Sequence, residues 1–513
     1  MRRVPLHPIF FAAFPLLFLF VQNADRVRFG KVVSPLLLVL LCVAIVTAIA
    51  FAVFRDVRRA AIVGSGFALL SLSYGHVRTA VEGDAIGGVV VGRDLFLLPL
   101  WVLLGLGFVA WAWRVRSVAE ITLILNVVAF GLVAVSAVNT TTAVAHQGAT
   151  AFQANAGKRS GALPEAHGSG TERDVYYLIF DRYGSNPVLR RFLDFDNSRF
   201  LDALRERGFY VADDAQSNYP TTAHSLASSL NMGYLDSLAE SEGRDSKDWK
   251  PLYRTIPDSK VPRFLLEQGY RYAHVGPWYD PTASDPIAHV NYHYDKRSEF
   301  TRVLIETTAL RPFAKRLGFL EDLDARRVTH NQIKFQIDSI LDASELPGAT
   351  YTFAHILIPH EPFTFAADGS YQSEDDDVNY TWEEGYVGQV EYTNRRILDV
   401  VDRLMAGPDA TDPIIVLQAD EGPKRPEWTY GGERRWSDAT DTELQQKVGI
   451  LTALSLPGSS AADLRQNMTP VNTFRTIFNT YFGTDLRRLR ERIYVYGDGA
   501  EPYRFTDVTD RVR

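Results

Sequence analysis

Five apolar runs fill most of the first 138 residues of the chain, at 4–21, 32–54, 60–74, 95–113 and 118–138. Most of them approach the roughly 20 residues with which a helix crosses a bilayer. Residues 1–138 therefore read as five transmembrane helices, the first and third being the shortest. Met1-Arg2-Arg3 ahead of an apolar run also has the charge pattern of a signal peptide. No small-x-small site follows it cleanly, and four further runs anchor the chain in either case.

Charge divides the 513 residues at about the same place. Residues 1–145 hold twelve Lys and Arg against six Asp and Glu, and the remainder holds 42 against 55. With the N-terminus inside, the inner segments carry Arg2, Arg3, Arg55, Arg58, Arg59, Arg114 and Arg116, and the outer ones Arg26, Arg28, Lys31, Arg78 and Arg93. That bias and an odd number of crossings both place everything after the fifth run outside the cytoplasm, across the cytoplasmic membrane. The only cysteine, Cys42, lies in the second apolar run, so the outer part has neither a disulfide nor a zinc-thiolate site. An acidic domain outside the cytoplasm is no partner for nucleic acid.

Residues 139–173 are rich in Ala, Gly, Ser and Thr without a sustained apolar stripe, and read as a linker with room for one short surface helix. From residue 174 to 513, β-branched and aromatic runs alternate with amphipathic stretches, the pattern of an α/β domain with a largely parallel central sheet. The expected strands are DVYYLIF (174–180), YRYAHV (270–275), ATYTFAHILI (349–358), PIIVLQ (413–418) and KVGILTAL (447–454). Expected helices include NSRFLDALRERG, VPRFLLEQG and YVGQVEYTNRRILDVVDRLMAG.

Ligands of such sheets gather beyond the C-terminal ends of the strands. Asp181 follows the first expected strand, His360 the third and Asp420-Glu421 the fourth. Adjacent acids repel unless something positive faces them. A further stretch, NYPTTAHSLASSLN (218–231), reads as a helix starting at Thr221 or Thr222, with Pro220 at the boundary and a hydroxyl in its first turn. The free N–H groups and positive dipole end of a helix there suit an anionic phosphoryl group.

Taken in order, YYLIFDRYG, NYPTTAHSLASSLN, HILIPHEPF, IIVLQADEGP and TPVNTFRTIFNTYFG resemble the alkaline phosphatase superfamily. The likeness is to its membrane-anchored, sulfatase-like branch, which includes lipoteichoic acid synthases and phosphoethanolamine transferases. It spans residues 174–483, and the preceding apolar helices fit the same architecture. The resemblance implies that Asp181 is the first metal-binding acid, that Thr222 is the metal-bound nucleophile in preference to Thr221, and that Asp420 is the acid of an Asp-His pair. It further implies that His360 contacts the transferred group or assists the leaving oxygen.

Three departures from the family pattern bear on the metal and the reaction. Glu421 stands where the family has histidine, so Asp181, Thr222, Asp420 and Glu421 make an all-oxygen set that places Mn²⁺ or Mg²⁺ ahead of Zn²⁺. No histidine follows His360, so a second metal site lacks its late ligand; one divalent ion is expected, and Asp285 with His289 is read as a coincidence of spacing. The Cys/Ser-x-Pro/Ala-x-Arg motif of formylglycine sulfatases is missing, which disfavours sulfate ester hydrolysis.

The implied chemistry is a two-step transfer, with Thr222 attacking phosphorus and His360 protonating the departing alcohol. The donor would be a membrane lipid, and the acceptor an envelope glycan or lipid, or water. His224, Lys424 and Arg425 are candidate substrate contacts. His355, inside an apolar strand, reads as a core residue, and Asn231, Asn472 and Arg475 read as structural. The alternative function is a non-catalytic envelope protein that keeps the fold for binding or scaffolding.

Overall fold

The computed structural model describes residues 4–24, 26–81, 85–86, 89–90, 94–156, 163–167, 172–294, 297–316, 323–406, 412–432, 434–459 and 464–513. They form two compact units, one of Met1–Lys158 with Arg297–Val328, the other of Arg159–Lys296 with Thr329–Arg513.

The first unit contains helices α1 (His7–Gln22), α2 (Gly30–Phe54), α3 (Val57–Ala80), α4 (Asp94–Arg114) and α5 (Val118–Ala156). Four of them, α2 to α5, are long and apolar enough to cross a membrane, whereas α1 has 16 residues and is shorter than a usual span. The sequence reading of five spans is thereby reduced to four of full length. The third span is longer than its apolar run of 60–74, because α3 is an inner helix. Its apolar window is 61% buried, against 11% for those of α2 and α4. Polar residues on it face protein: Ser65 is buried and its Oγ lies 2.5 Å from His7 Nδ1. The expected linker also begins later than residue 139, since α5 continues to Ala156; parts of 157–171 lie outside the described residues. Helices α7 (Glu299–Glu306) and α8 (Arg311–Arg316) belong to this first unit as well, which the sequence reading placed wholly in the soluble domain.

The second unit is built on strands β1 (Val175–Phe180), β2 (Tyr210–Val211), β3 (Arg271–Gly276), β4 (Val290–His293), β5 (Thr350–Ile356), β6 (Ile414–Gln418) and β7 (Thr452–Ser455). They make one seven-stranded sheet in the order β2-β7-β6-β1-β5-β3-β4. β1 lies at its centre, parallel to β5 and β6, and antiparallel pairing is confined to β7 with its neighbours β6 and β2. β1, β5 and β6 are buried along their whole length, which explains why they read as unbroken apolar runs. The first four expected strands and the three quoted helices are present. The fifth expected strand is shifted: Lys447 and Val448 end helix α11 (Asp441–Val448), and β7 begins only at Thr452. A capping box at Thr440 and Glu443 starts that helix, and its hold on the backbone outweighs the β-branched character of the residues that follow.

The remaining helices of interest are α6 (Thr222–Asn231), α9 (Ala325–Ser344) and α10 (Trp382–Met405). Aromatic contacts bind the core beside the sheet: Tyr177 packs edge-on against Phe474, with ring centroids 5.0 Å apart, and Phe264 lies 4.1 Å from Phe478.

Candidate active site and metal centre

Strand register assembles the site. Ile179 of β1 pairs with His355 of β5 on one side and with Gln418 of β6 on the other. Side chains alternate along strands, and paired residues of parallel neighbours share a face. His355 therefore shares a face with positions two further along β1 and β6, which are Asp181 and Asp420. Among the described residues, Asp181, His355 and Asp420 each bring one ligand atom into a group whose members lie within 4.8 Å of one another. All three side chains are buried, with exposures of 3%, 0% and 1%.

The electrostatics of this group are unsatisfied. Asp181 Oδ1, His355 Nε2 and Asp420 Oδ2 are buried without a hydrogen-bond partner, and Nε2 approaches Asp181 Oδ2 only to 3.5 Å. Burial drives the Asp420 carboxyl well above its ordinary pKa, reinforced by Asp181 and Glu421 and opposed by hydrogen bonding from Thr222 and by Lys447. Burial also acts to raise Asp181, but His360, His355 and Arg182 outweigh it and hold that carboxyl below the usual carboxylate range. Two carboxyls pushed in opposite directions at one buried place mark a local excess of negative charge that a cation would relieve. His355 is prepared as a ligand from behind. Its Nδ1 lies 2.8 Å from Thr282 Oγ1, and its carbonyl accepts from Gln336 of α9 at 2.7 Å. These two contacts hold the ring with Nε2 turned toward the acids. Two carboxylates and an imidazole with orphaned, converging atoms fit a divalent ion.

Glu421, one residue on, faces elsewhere. Its Oε1 receives Lys447 Nζ at 2.9 Å and Arg182 Nε at 2.9 Å. Arg182 also reaches Glu361, and Lys447 donates to the Gly422 carbonyl at 3.1 Å. Something positive does face the adjacent acids, and both of its direct ion pairs go to the second. The sequence-based ligand set is corrected accordingly: His355 stands with Asp181 and Asp420, while Glu421 is bound into an ion network. Burial lowers the Lys447 pKa to about 8 against the pull of Glu421. Burial would raise Glu361, but Arg182 overrides it and brings the pKa to about 2.

Thr222 begins α6, with Thr221 in the extended N-cap conformation before it. The two hydroxyls are separated by chemistry. His224 Nε2 lies 2.8 Å from the Pro502 carbonyl and must donate to it, so in the neutral ring Nδ1 accepts from Thr221 Oγ1 at 2.8 Å. Thr221 is thus committed to His224, while Thr222 acts on Asp420. His224 itself is fully buried, stacked 4.5 Å from Tyr496, with its pKa lowered to about 4 by burial. It is a packing and orienting residue, and its expected role as a substrate contact is withdrawn.

His360 is partly exposed, with Nδ1 3.9 Å from Glu361 Oε2. It lies near enough to Asp181 to lower that carboxyl. Lys424 is half-buried beside the Arg182–Glu421–Glu361 network, its pKa lowered by burial and by Arg182. Arg425 points away: it pairs with Glu383, donates to the Phe192 carbonyl at 3.3 Å, and lies over Trp382. It is not a site residue. Asp285 accepts from Asp258 N and Tyr272 Oη, in keeping with a structural role. Asn231 and Arg475 likewise bond to backbone carbonyls.

No family model matches the sequence, and neither does any curated protein. Among solved structures, the chain is similar to the C-terminal periplasmic domain of EcEptC from Escherichia coli, with 13% identity, 67% of this chain and 96% of that one covered, and a TM-score of 0.44. That domain has also been solved in complex with Zn. It is similar to the C-terminal periplasmic domain of phosphoethanolamine transferase EptC from Campylobacter jejuni, at 12% identity over 62% and 91% of the two chains, TM-score 0.36. A third similar structure is the phosphonate monoester hydrolase of Agrobacterium radiobacter, at 11% identity over 63% and 80%, TM-score 0.40.

Proposed function

We propose that this protein is a membrane-anchored, extracytoplasmic phosphotransferase or phosphodiesterase of the alkaline phosphatase superfamily, working with one divalent ion and Thr222 as nucleophile. The observation that carries the reading is the convergence of three buried, unpartnered donor atoms, on Asp181, His355 and Asp420, beside a threonine hydroxyl at a helix start. Sequence order supports it, since the same residues fall in the motifs that resemble that superfamily.

An ion held by Asp181, His355 and Asp420 would neutralise the buried carboxylates and favour the alkoxide of Thr222. The chain supplies the rest. The first N–H groups of α6 have no partner within the helix and can hold phosphoryl oxygens. Thr221, tied to His224, keeps its proton and does not compete. Thr222 Oγ bonds to phosphorus as the bond to the leaving alkoxide breaks, and His360 gives that oxygen a proton. A second alcohol or water then gives its proton to His360, left as a base by the first step, and bonds to phosphorus as the bond from phosphorus to Thr222 Oγ breaks. Lys424 adds positive charge at the rim. The donor is a membrane lipid carrying a phospho-substituent and the acceptor an envelope glycan or lipid, or water, in accord with a catalytic unit carried on apolar helices. A donor set of two carboxylates and an imidazole accommodates Zn²⁺ as readily as Mn²⁺ or Mg²⁺; the preference for the latter two rested on oxygen ligands alone.

The test is to incubate the full-length protein with divalent ions and membrane lipid, then to determine the mass of the peptide bearing Thr222. A covalent phospho-adduct on Thr222, lost in Thr222→Ala, supports the reading. Turnover of a phosphodiester that survives undiminished in Thr222→Ala refutes it, and no turnover or adduct with any lipid or ion supports the scaffolding alternative.

A further inference from the structure

The segment from Glu299 to Arg316 interrupts the sequence of the α/β unit yet folds as part of the helical one. Helix α7 buries Phe300 and Leu304 among Leu16 and Phe20 of α1, Val32 of α2 and Leu72 of α3. The chain after it is bonded to the backbone of α3: Gly75 N donates to the Thr307 carbonyl at 3.0 Å, and Ala309 N to the Ser71 carbonyl at 2.8 Å. The approach is so close that a Cβ on Gly75 would lie 2.5 Å from Thr307 Cα. Ser71 and Gly75 precede the end of α3 at Ala80 by a distance of about 8–14 Å along the helix. A non-membrane segment is therefore fastened below the rim of a membrane-span helix. Two of its charges meet near that end of α3, where Arg311 Nε meets Glu306 Oε2 at 2.6 Å and its guanidinium lies 3.7 Å from Asp94. Asp94 accepts from Tyr74 Oη at 2.7 Å and lies 3.6 Å from Arg78.

What this segment presents outward is apolar. Val303, Leu310 and Phe313 are 42%, 49% and 40% exposed. The surface of α2 beside α7 is apolar and open as well, with Val33, Leu37, Leu38 and Leu41 exposed. We propose that Glu299–Arg316 is an interfacial membrane segment, and that Val303, Leu310 and Phe313 sit in the acyl-chain and headgroup boundary of the leaflet met by the C-terminal end of α3. Backbone bonding to α3, a helix of span length, ion pairs near that helix's end, and packing against α2, whose own surface is open and apolar, all favour lipid as the occupant over water or a second protein. The consequence is that the catalytic chain returns to the membrane once more after leaving α5. The inference is independent of the chemistry at Thr222.

Site-directed spin labelling of the full-length protein in phosphatidylcholine–phosphatidylglycerol vesicles tests it. Single cysteines would be introduced by Val303→Cys, Leu310→Cys and Phe313→Cys in a Cys42→Ser background. All three side chains are exposed, so the packing of Phe300 and Leu304 is left in place. The native Cys42, exposed on α2, serves as the hydrocarbon reference. Oxygen collisions exceeding those of a nickel chelate at all three positions, with the ratio shifted toward that of Cys42, support the proposal. Nickel exceeding oxygen places the segment in water and overturns it. Low access to both probes means that protein covers the face, and overturns it equally.

Discussion

Asp420 and Glu421 are neighbours in sequence, both nearly fully buried, and they have opposite surroundings. Glu421 holds two cations at 2.9 Å; Asp420 has an oxygen with no partner, close to Asp181 and His355. Just beyond the strand end, Glu421 is turned to Arg182 and Lys447, whereas Asp420 is turned to Asp181 and His355. On the Glu421 side, Glu421, Glu361, Arg182 and Lys447 are joined by direct ion pairs. On the Asp420 side, buried polar atoms of Asp181, His355 and Asp420 converge without hydrogen-bond partners, which is the arrangement that the proposed ion would complete.

The largest effect that sharpens this contrast is expected at Thr222. Thr222→Ala should lower phosphoryl transfer by about 10³-fold or more, with ion affinity and melting temperature nearly unchanged, read by steady-state kinetics beside calorimetry. A comparable loss of stability would move Thr222 to the structural side. Next come the paired groups. Glu421→Gln or Lys447→Met breaks a buried pair and should cost about 3–5 kcal/mol in denaturant unfolding, the double variant costing less than the two together, because neither partner is then left unpaired. Without added metal, Asp420→Asn should instead leave stability unchanged or raise it, because burial and Asp181 already oppose an ionised carboxylate there. If Glu421→Gln proves neutral and Asp420→Asn strongly destabilising, the assignment of the two clusters is reversed.

His224 gives a pH dependence. Its folded pKa of about 4 lies below its ordinary value of 6.5, so the unfolded chain binds the extra proton first. The stability involved is present in full above pH 6.5 and is lost as pH falls toward 4, by about 3 kcal/mol at roughly 1.4 kcal/mol per pH unit. The check is the difference between native protein and His224→Gln in unfolding curves across that window, which should narrow as pH falls. The smallest effects separate two cations that adjoin in sequence. Lys424→Ala should raise KM several-fold, while Arg425→Ala, which loses only its partners Glu383 and Phe192, should leave kcat and KM within about two-fold.

Much of this was legible in the sequence. Asp181 and Asp420 were marked by their places at strand ends, the helix start was marked as Thr221 or Thr222 with the family resemblance preferring Thr222, and the apolar runs located the four helices of full span length. His355 was not, since a histidine in an apolar strand looks like any core residue until register puts it beside Ile179. Its parity with Asp181 and Asp420 was the available signal. Lys447 was concealed in KVGILTAL, where a helix end and a strand start run together, and Arg182 takes a positive φ of 63° that nothing in the letters announces. The segment 297–328 looked like soluble sequence because charges interrupt its apolar residues; the burial of Phe300 and Leu304 among α1, α2 and α3 and the backbone bonds to Ser71 and Gly75 assign it to the helical unit.

The central claim is that Asp420, and not Glu421, belongs to a cation site. Calorimetric titration of the full-length protein with Zn²⁺, Mn²⁺ and Mg²⁺ tests it most directly, carried out on the native chain, Asp420→Asn and Glu421→Gln. One ion should bind per native chain for at least one of the three, with binding lost in Asp420→Asn and kept within a few-fold in Glu421→Gln. Binding kept in Asp420→Asn but lost in Glu421→Gln, or no binding to the native chain by any of the three ions at millimolar concentration, would contradict it.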